Sequence, residues 1–252
     1  MFQRIPESFA ARWFSASCRR VSIRSYTGSP GPEQFEALAS FLAEAEPLCQ
    51  QGVRIVLGRG PVFARSIQGT DAFAALYATK DSSQADPSLG WAGEALALEC
   101  AARGLGTCWI GSSMKRNAVL ELCPPKEGET LRCILAIGQC CLPEKPIYKR
   151  KSLSKSTGLS DAALSVLPTW QYAALTCAQQ APTALNRQAW EARLSPDALA
   201  VRATGRNFGY GQIDLGIVLL HLVLGAQCTG WIGGLMETPP WYALSSAEAS
   251  RP

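Results

Sequence analysis

The stretch from Gly90 to Ser113 most constrains the fold, because it changes from helix-forming to strand-forming composition within one run. Residues Trp91 to Ala102 are rich in alanine, leucine and glutamate and contain no proline, which predicts a helix buried on most sides. Gly104 and Gly106 then predict a helix end with positive φ angles, and the β-branched and aromatic residues that follow predict a short strand. The bare backbone at Gly111 could approach a flat ligand closely.

A short phrase of this stretch occurs a second time in the chain. Trp109-Ile110-Gly111 recurs as Trp231-Ile232-Gly233, and an apolar helical run, Ile213 to Gly225, precedes the second copy as one precedes the first. A phrase repeated in the same helical context predicts an internal duplication. We therefore expect a first half, residues 1–148, and a second half, residues 149–252, that together form one compact unit.

Composition and charge limit the classes of protein to which the chain can belong. With 252 residues, of which 47% are hydrophobic, it can bury a large core. The net charge of +4 is too weak to indicate nucleic-acid binding. The longest apolar run, Ile213 to Gly225, contains Asp214 and His221 and is too short to span a membrane. We expect a cytoplasmic protein with a small-molecule substrate and with neither a nucleic-acid nor a membrane partner.

The ten cysteines would form an even set for disulfides in a secreted protein. Several of them, including Cys100, Cys133 and Cys177, lie in apolar patterns, so we interpret them as buried free thiols. No cysteine pairs have zinc-ligand spacing, and His221 is the only histidine, so no metal site is expected. Because His221 lies in an apolar helical run, we interpret it as a core residue rather than a catalytic one.

The remaining sequence alternates helical and strand patterns. Residues Leu131 to Gly138 are apolar almost without interruption, which predicts a strand buried on both faces. Residues Pro61 to Ser88 are expected to be irregular around one short helix, with a loop over Ser82 to Ser88. The other predicted elements are helices at Met1 to Ser17, Glu33 to Glu46, Met114 to Leu122 and Thr169 to Gln180, a strand at Val53 to Leu57, and a strand with a turn at Pro196 over Leu194 to Ala203.

Two basic segments are candidates for binding an anion. Arg20, Ser22 and Arg24 place two guanidinium groups and a hydroxyl close together just before a loop rich in glycine and proline. The planar fork of arginine beside a hydroxyl suits a phosphate, although a solvated basic edge is the alternative. The second segment, Pro143 to Lys155, contains Arg150 and is either a surface linker or a second source of phosphate ligands.

A third candidate segment, APTALNRQAW, follows the predicted helix at Thr169 to Gln180. Thr183 and Asn186 place a hydroxyl and an amide just after Pro182, which makes a compact set of donors and acceptors. Such a set can pair with the polar edge of a heterocycle, and the alternative is an Asx-type turn.

Together, the segments RVSIR, GLGTCWIGS, APTALNRQAW and RKSL resemble the nitroreductase family of flavoproteins, and their order resembles its single-chain, internally duplicated branch. The resemblance implies an α+β, FMN-dependent nitroreductase fold, arranged as a tandem pseudo-dimer within one chain. One intact FMN site would then be built from both halves. The second site would be decayed, because Pro47-Leu48-Cys49-Gln50 lacks the asparagine that Pro182-Thr183-Ala184-Leu185-Asn186 provides.

The resemblance also assigns residues of this chain to parts of the FMN molecule. Arg20, Ser22 and Arg24 would bind the phosphate and the ribityl chain, and Arg150, together with Lys149, would close the phosphate site. The backbone presented to flavin N5 would come from Ile110, Gly111 and Ser112. Contacts to the isoalloxazine edge would come from Pro182, Thr183, Ala184 and Asn186, with Gln188 as a further candidate.

The activity implied by the resemblance is hydride transfer from NADH or NADPH, through FMN, to a small oxidised acceptor such as a nitroaromatic or a quinone. No catalytic side chain beyond the flavin is expected, and the protein would be a monomer or a weak homodimer. The segments expected to cover the open face of FMN, Pro61 to Ser88 and Gly205 to Gly211, carry no specificity signature. Two alternatives are a flavin-binding sensor or carrier of the same fold and an interaction protein that retains only the scaffold.

Overall fold

The computed structural model of the protein describes residues 4–45, 52–79, 85–141 and 149–246, which fall into two units. The sheet-1 unit contains the described residues from Arg19 to Cys141, and the sheet-2 unit contains residues 4–18 and 149–246. The helices are α1 (Glu7–Ser17), α2 (Pro32–Glu44), α3 (Ala85–Ala102), α4 (Arg116–Leu122), α5 (Leu153–Thr157), α6 (Asp161–Ser165), α7 (Thr169–Gln179) and α8 (Gly211–Gln227). The strands are β1 (Val53–Arg59), β2 (Ala72–Thr79), β3 (Leu105–Ile110), β4 (Glu129–Gln139), β5 (Trp190–Ser195), β6 (Ala198–Ala203), β7 (Gly233–Thr238) and β8 (Trp241–Ser246).

Sheet 1 is antiparallel throughout, with the strand order β1-β2-β4-β3. Its central strands, β2 and β4, are almost completely buried, because helix α3 packs on one face and a second apolar layer covers the other. That second layer includes Val62, Ile67 and Val119. The apolar run at Leu131 to Gly138 therefore forms a doubly covered strand, as predicted.

Sheet 2 repeats this arrangement. It is also antiparallel, and its strand order, β5-β6-β8-β7, has the same sequence of first, second, fourth and third strands. A long helix connects the second and third strands in each case, α3 in the first sheet and α8 in the second. The common order and the common position of the helix support the two-part repeat that the predicted internal duplication requires.

The repeated Trp-Ile-Gly phrase, however, does not occupy equivalent positions in the two sheets. Trp109 and Ile110 lie inside β3, whereas Trp231 and Ile232 precede β7, which begins at Gly233. Strand order thus supports a two-part repeat, whereas the Trp-Ile-Gly phrase lies at different positions relative to the strands.

The N-terminal segment belongs to the sheet-2 unit, in contrast to the predicted division at residue 148. Helix α1 packs against α8, and the side chain of Gln227 pairs with the backbone of Ile5. Its Oε1 accepts from Ile5 N–H at 2.9 Å, and its Nε2 donates to the Ile5 carbonyl at 2.9 Å. The buried side chain of Trp13 belongs to the same helix. Residues 4–18 therefore pack with the second half, because their apolar side is buried there.

Three local predictions are corrected by the structure. The segment Pro61 to Ser88 contains β2, a central buried strand, and helix α3 already begins at Ala85, so Ser88 is helical. Gly104 has the expected positive φ of 78°, but Gly106 lies within β3. A Cβ at Gly106 would lie 2.5 Å from Cys140 Sγ and 2.8 Å from Ile23 Cγ1, so close packing explains this glycine.

Helices α3 and α8 are buried along nearly their entire length, so the two core helices predicted from sequence are confirmed. Among the described helices, none is long and apolar enough to cross a membrane. His221 lies in α8 with no exposed surface, and its Nδ1 is 3.7 Å from Cys177 Sγ, which confirms it as a core residue. Cys100, Cys133 and Cys177 are buried free thiols, as predicted. The predicted features at Pro47 to Gln50 and at 142–148 lie outside the described residues.

Gly225 provides a test of the packing between α7 and α8. Replacing a helical glycine with alanine normally stabilises a helix by about 0.5–1 kcal/mol. A Cβ at Gly225 would instead lie 2.8 Å from Ala174 Cα and 2.7 Å from Cys177 Cβ, so Gly225→Ala should lower the free energy of unfolding by about 1–3 kcal/mol. Urea denaturation measures the change. Gly234→Ala, at a glycine with open space around it, is the control, and an equal effect of both would contradict the prediction.

Candidate functional site

Within the sheet-1 unit, the first predicted phosphate ligand is in a buried ion pair. Arg20 is 2% exposed, and its Nε lies 3.3 Å from Oε1 of Glu94, which has no exposed surface. The other carboxylate oxygen of Glu94 accepts a hydrogen bond of 2.9 Å from Trp109 Nε1. A carboxylate in a helix buried on all sides is costly unless it is paired, and Arg20 provides the charge that Glu94 needs.

The ion pair connects helix α3 to the two parts of the sheet-1 unit that carry predicted site residues. Glu94 belongs to α3, Trp109 to β3, and Arg20 opens the segment that contains Ser22 and Arg24. Because Arg20 is buried and paired with Glu94, it fixes this segment on α3.

Ser22 and Arg24 are more accessible than Arg20. Ser22 forms a parallel bridge with Thr107, and the N–H of Ile23 donates to the Thr107 carbonyl at 2.9 Å, so this segment runs along β3. Ser22 is half-buried and Arg24 is exposed. Burial raises the pKa of the nearby Cys108 thiol, and the positive charges of Arg24 and Arg20 oppose that shift. The pattern places two cations beside the strand that leads to Gly111.

The end of β3 exposes progressively more backbone. Ile110 is buried in the core, Gly111 is half-buried, and Ser112 is exposed. Thr107, in the middle of β3, is buried, and its hydroxyl has no hydrogen-bond partner among the residues that the structure describes. A buried hydroxyl without a partner is uncommon and needs an explanation.

In the sheet-2 unit, the predicted site residues form one hydrogen-bonded cluster around Asn186. Arg150 donates from Nη1 to Asn186 Oδ1 at 2.8 Å and from Nη2 to the Gln180 carbonyl at 2.6 Å. The side-chain amide of Asn186 donates in turn to the Lys149 carbonyl at 3.0 Å. The basic segment and the Pro-Thr-Ala-Leu-Asn segment, separated in sequence, are therefore joined in the structure.

Gln188 completes this cluster from inside the fold. The backbone N–H of Gln188 donates to Thr183 Oγ1 at 2.9 Å, and its Oε1 accepts from the N–H of Lys151 at 2.7 Å. Its Nε2 lies 3.2 Å from the Asn186 carbonyl. Gln188 is buried, so its contacts position Thr183 and Asn186, while Pro182 is also buried and Thr183 and Ala184 are half-buried.

A carboxylate that was not predicted as a site residue binds the backbone of the same Pro-Thr-Ala-Leu-Asn segment. Asp214, in the first turn of α8, is 5% exposed. Its Oδ1 accepts from the N–H of Ala184 at 2.9 Å, and its Oδ2 accepts from Asn207 Nδ2 at 2.6 Å. Asn207 Nδ2 also lies 3.2 Å from the Ala184 carbonyl. Burial raises the pKa of Asp214 to about 6, and the hydrogen bonds from Ala184 and Asn207 oppose that shift.

The segments on either side of this clamp have unusual backbone conformations. Among the described residues, the positive φ angles outside glycine are confined to two loops, which we call the amide loop (183–188) and the glycine loop (205–211). The glycine loop also lines an open cavity of about 400 Å³. Such conformations cost about 1–3 kcal/mol each and persist only where surrounding contacts impose them. The positive-φ residues are Leu185, Asn186, Gln188, Asn207 and Phe208.

The structure thus gathers the predicted residues into two groups, one in each unit. Sequence reasoning missed the acidic partners Glu94 and Asp214 and the amide of Asn207. The available signal was the presence of carboxylates in largely apolar helices, since a buried carboxylate must have a partner. The sheet-1 group is Arg20, Ser22, Arg24, Ile110, Gly111 and Ser112, and the sheet-2 group is Arg150, Pro182, Thr183, Ala184, Asn186 and Gln188.

Removing one partner of the ion pair between Arg20 and Glu94 should strongly destabilise the folded protein. Glu94→Gln retains an acceptor for the Trp109 indole but leaves the buried Arg20 without its carboxylate, so we expect a loss of about 3 kcal/mol in the free energy of unfolding. Chemical denaturation measures it. Glu191→Gln is the control, because the Glu191–Arg202 pair is 37% exposed on both sides and should contribute less than about 1 kcal/mol. Equal losses would contradict this interpretation.

The raised pKa of Asp214 predicts a pH dependence of stability. Because the folded pKa is about 6 and the usual value is 3.8, the folded state binds a proton between these pH values that the unfolded state does not bind. This group's contribution to stability therefore improves as pH falls through about 6, by about 1 kcal/mol between about pH 7 and about pH 5. Wild type should gain that amount relative to Asp214→Asn in urea denaturation at the two pH values. A difference that stays constant, or changes in the opposite direction, would refute it.

Comparisons with known proteins agree with the fold described above. The family model described as "Putative TM nitroreductase" matches residues 14–226. A crystal structure of a "putative nitroreductase" from Thermotoga maritima is 20% identical, with a TM-score of 0.66, and the match covers 93% of each chain. A "Putative NADH Oxidase" from Clostridium acetobutylicum, 20% identical with a TM-score of 0.44, covers 56% of this chain and 96% of its own. No curated protein is matched.

The family model spans most of the chain, and the Thermotoga structure shares its fold along nearly the whole length. The two antiparallel sheets, each with a buried helix between its second and third strands, are therefore the architecture of a nitroreductase fold. The chain belongs to the nitroreductase family described by that model.

Proposed function

We propose that this protein is an FMN-dependent oxidoreductase that uses NADH or NADPH to reduce a small oxidised acceptor, such as a nitroaromatic or a quinone. Membership of the nitroreductase family supports the general class of reaction. The observation that carries the proposal for this chain is the exposed Arg24 beside Ser22, on a segment bonded along β3, where the buried Thr107 hydroxyl has no partner among the described residues.

The residues of the two groups fit the chemistry of FMN. A phosphate requires cationic and hydroxyl donors, which Arg24 and Ser22 supply on the sheet-1 unit and Arg150 supplies on the sheet-2 unit. A flat ring requires close backbone, and β3, which ends at Ile110, is followed by Gly111 and the exposed Ser112. The heterocycle edge requires both donors and acceptors, which the amide loop provides through Thr183 and Asn186.

The role that we propose for Arg20 differs from a direct phosphate contact. Its guanidinium is 2% exposed and is paired with Glu94, so its contribution is to hold the segment that presents Ser22 and Arg24. Arg24 then becomes the principal phosphate ligand of this segment, with Arg150 and Lys149 as cations from the other group. Gln188 has an equivalent supporting role, because it is buried and bonded to Thr183 and Asn186.

When bound, FMN supplies the redox chemistry, since it accepts a hydride from the nicotinamide and passes electrons to the acceptor. The chain orients the ring with the backbone of Ile110, Gly111 and Ser112 and with the edge contacts of Pro182, Thr183, Ala184 and Asn186. The arginines attract the anionic phosphate, and Arg150 adds positive charge beside Asn186. In this proposal, no side chain is required to transfer a proton. The shape of the site and the access to it would select the substrate.

We propose that the chain binds one FMN per polypeptide. A flavin-binding sensor or carrier of the same family is the second candidate, since the same residues would bind FMN without turnover.

The first test is the quantity of bound flavin and its response to nucleotide. Purified protein should contain about one FMN per chain, because one set of phosphate and edge segments is present. Anaerobic addition of NADH or NADPH in a stopped-flow instrument should then bleach the oxidised-flavin absorbance. Bound FMN that neither nucleotide reduces would favour the sensor or carrier. Two flavins per chain would disprove the proposed stoichiometry.

A second test separates the roles of the two arginines. Arg24→Ala removes a charge-assisted phosphate contact and should weaken FMN binding by roughly tenfold to a hundredfold with little effect on unfolding. Arg20→Ala should instead lower the unfolding temperature, because it leaves Glu94 buried without its cation. Flavin fluorescence titration and thermal melts measure the two effects. Lys126→Ala, at an exposed cation of the same unit outside the predicted flavin-binding segments, is the control, and unchanged FMN affinity in Arg24→Ala would refute the assignment.

A further inference from the structure

The amide loop, which carries the proposed contacts to the flavin edge, has no regular secondary structure beyond the short 3₁₀ turn Ala184–Asn186. Its conformation is nevertheless held by hydrogen bonds to both backbone polar groups of one residue, Ala184. The N–H of Ala184 donates to Asp214 Oδ1, and the carbonyl of Ala184 accepts from Asn207 Nδ2. Asn207 Nδ2 also donates to Asp214 Oδ2, so the three residues form a closed set of hydrogen bonds.

We propose that Asp214 and Asn207 are positioning residues that hold the amide loop in the conformation that binds the flavin. The inference rests on the proposed function, because it concerns the geometry of that FMN site. Neither residue needs to contact the flavin. Asp214 fixes the loop to the N-terminal turn of α8, which is the most deeply buried helix of its unit, and Asn207 fixes it to the glycine loop.

The backbone conformation of the two loops requires such a clamp. Leu185 and Asn186 have φ angles of 53°, and Asn207 and Phe208 have φ angles of 40° and 58°. Leucine and phenylalanine rarely adopt these angles, and burial of their side chains does not enforce them here, since Leu185 is 75% exposed and Phe208 is 65% exposed. The conformation is therefore maintained by polar contacts.

A further contact joins the same two loops at the surface. The guanidinium carbon of Arg187 lies 4.5 Å from the ring centroid of Phe208, within the range of a cation–π interaction. Because Arg187 belongs to the amide loop and Phe208 to the glycine loop, this contact joins the two loops in addition to the hydrogen bonds at Ala184. Displacing either loop would move the other.

The burial of Asp214 is costly, which argues against a role in stability alone. Its carboxylate accepts hydrogen bonds from neutral donors, the N–H of Ala184 and the amide of Asn207, and it forms no ion pair with a cation of the described residues. The Asn207 Oδ1 atom is also buried without a partner among the described residues. A buried amide oxygen without a partner is uncommon and needs an explanation, which a local geometry that serves a ligand would provide.

The experiment compares FMN affinity, thermal stability and amide exchange in the full-length chain. Asp214→Ala removes both acceptors, and Asn207→Gly removes the side-chain clamp while leaving a residue that tolerates positive φ. Asp214→Asn keeps one acceptor for Ala184. We expect the dissociation constant for FMN to rise about tenfold in the first two variants and by a smaller factor in the third. Hydrogen exchange at Ala184 should accelerate in the same order.

The controls separate a positioning role from a structural one. Asp161→Ala, at an exposed aspartate of the same unit, should change none of the three measurements. If Asp214→Ala does not fold, Asn207→Gly supplies the test. Wild-type FMN affinity in folded Asn207→Gly, or a lowered melting temperature in the variants with unchanged affinity, would overturn the inference while leaving the proposed function intact. A wild-type protein that binds no FMN would overturn the proposed function itself and this inference with it.

Discussion

Each half of this protein depends on one helix that is buried along almost its full length, and every polar group on such a helix must find a partner inside the fold. Helix α3 carries Glu94 and helix α8 carries Asp214. The partner of Glu94 is Arg20, and the partners of Asp214 are the Ala184 amide and Asn207. In both halves, a buried carboxylate pairs with an irregular segment that carries proposed ligand contacts, and this pairing fixes the position of the segment. Core packing and site geometry are therefore consequences of the same constraint.

The elements with strong local patterns were predictable from the sequence, and those defined by tertiary contacts were not. The densely apolar α3 and α8 and the continuous apolar strand β4 were identified because their composition has a single structural explanation. Strand β2, with the sequence AFAALYAT, was missed because alanine and leucine favour helix in isolation, and only its position between β1 and β4 makes it a strand. The hairpin β7–β8 was missed for the same reason.

The candidate site divides in a similar way. Arginines, hydroxyls and the asparagine were identifiable as potential ligands by their chemistry, but their exposure depends on partners that are distant in sequence. Arg20 and Arg24 are similar in sequence context, yet one is buried against Glu94 and the other is exposed. Gln188 was likewise predicted as a contact, although its burial and its hydrogen bonds make it a support for Thr183 and Asn186. A linear motif specifies the ligand chemistry without showing which members face a ligand.

The position of α1 has a consequence for the order in which the chain folds during synthesis. Ile5 and Gln227 are hydrogen-bonded across a separation of 222 residues, so the sheet-2 unit is assembled from segments that leave the ribosome at very different times. The sheet-1 unit is continuous and is translated completely between them, which allows it to fold while α1 still lacks α8. The apolar side of α1, including Phe9 and Trp13, therefore cannot pack against α8 until residues 211–227 have been synthesised.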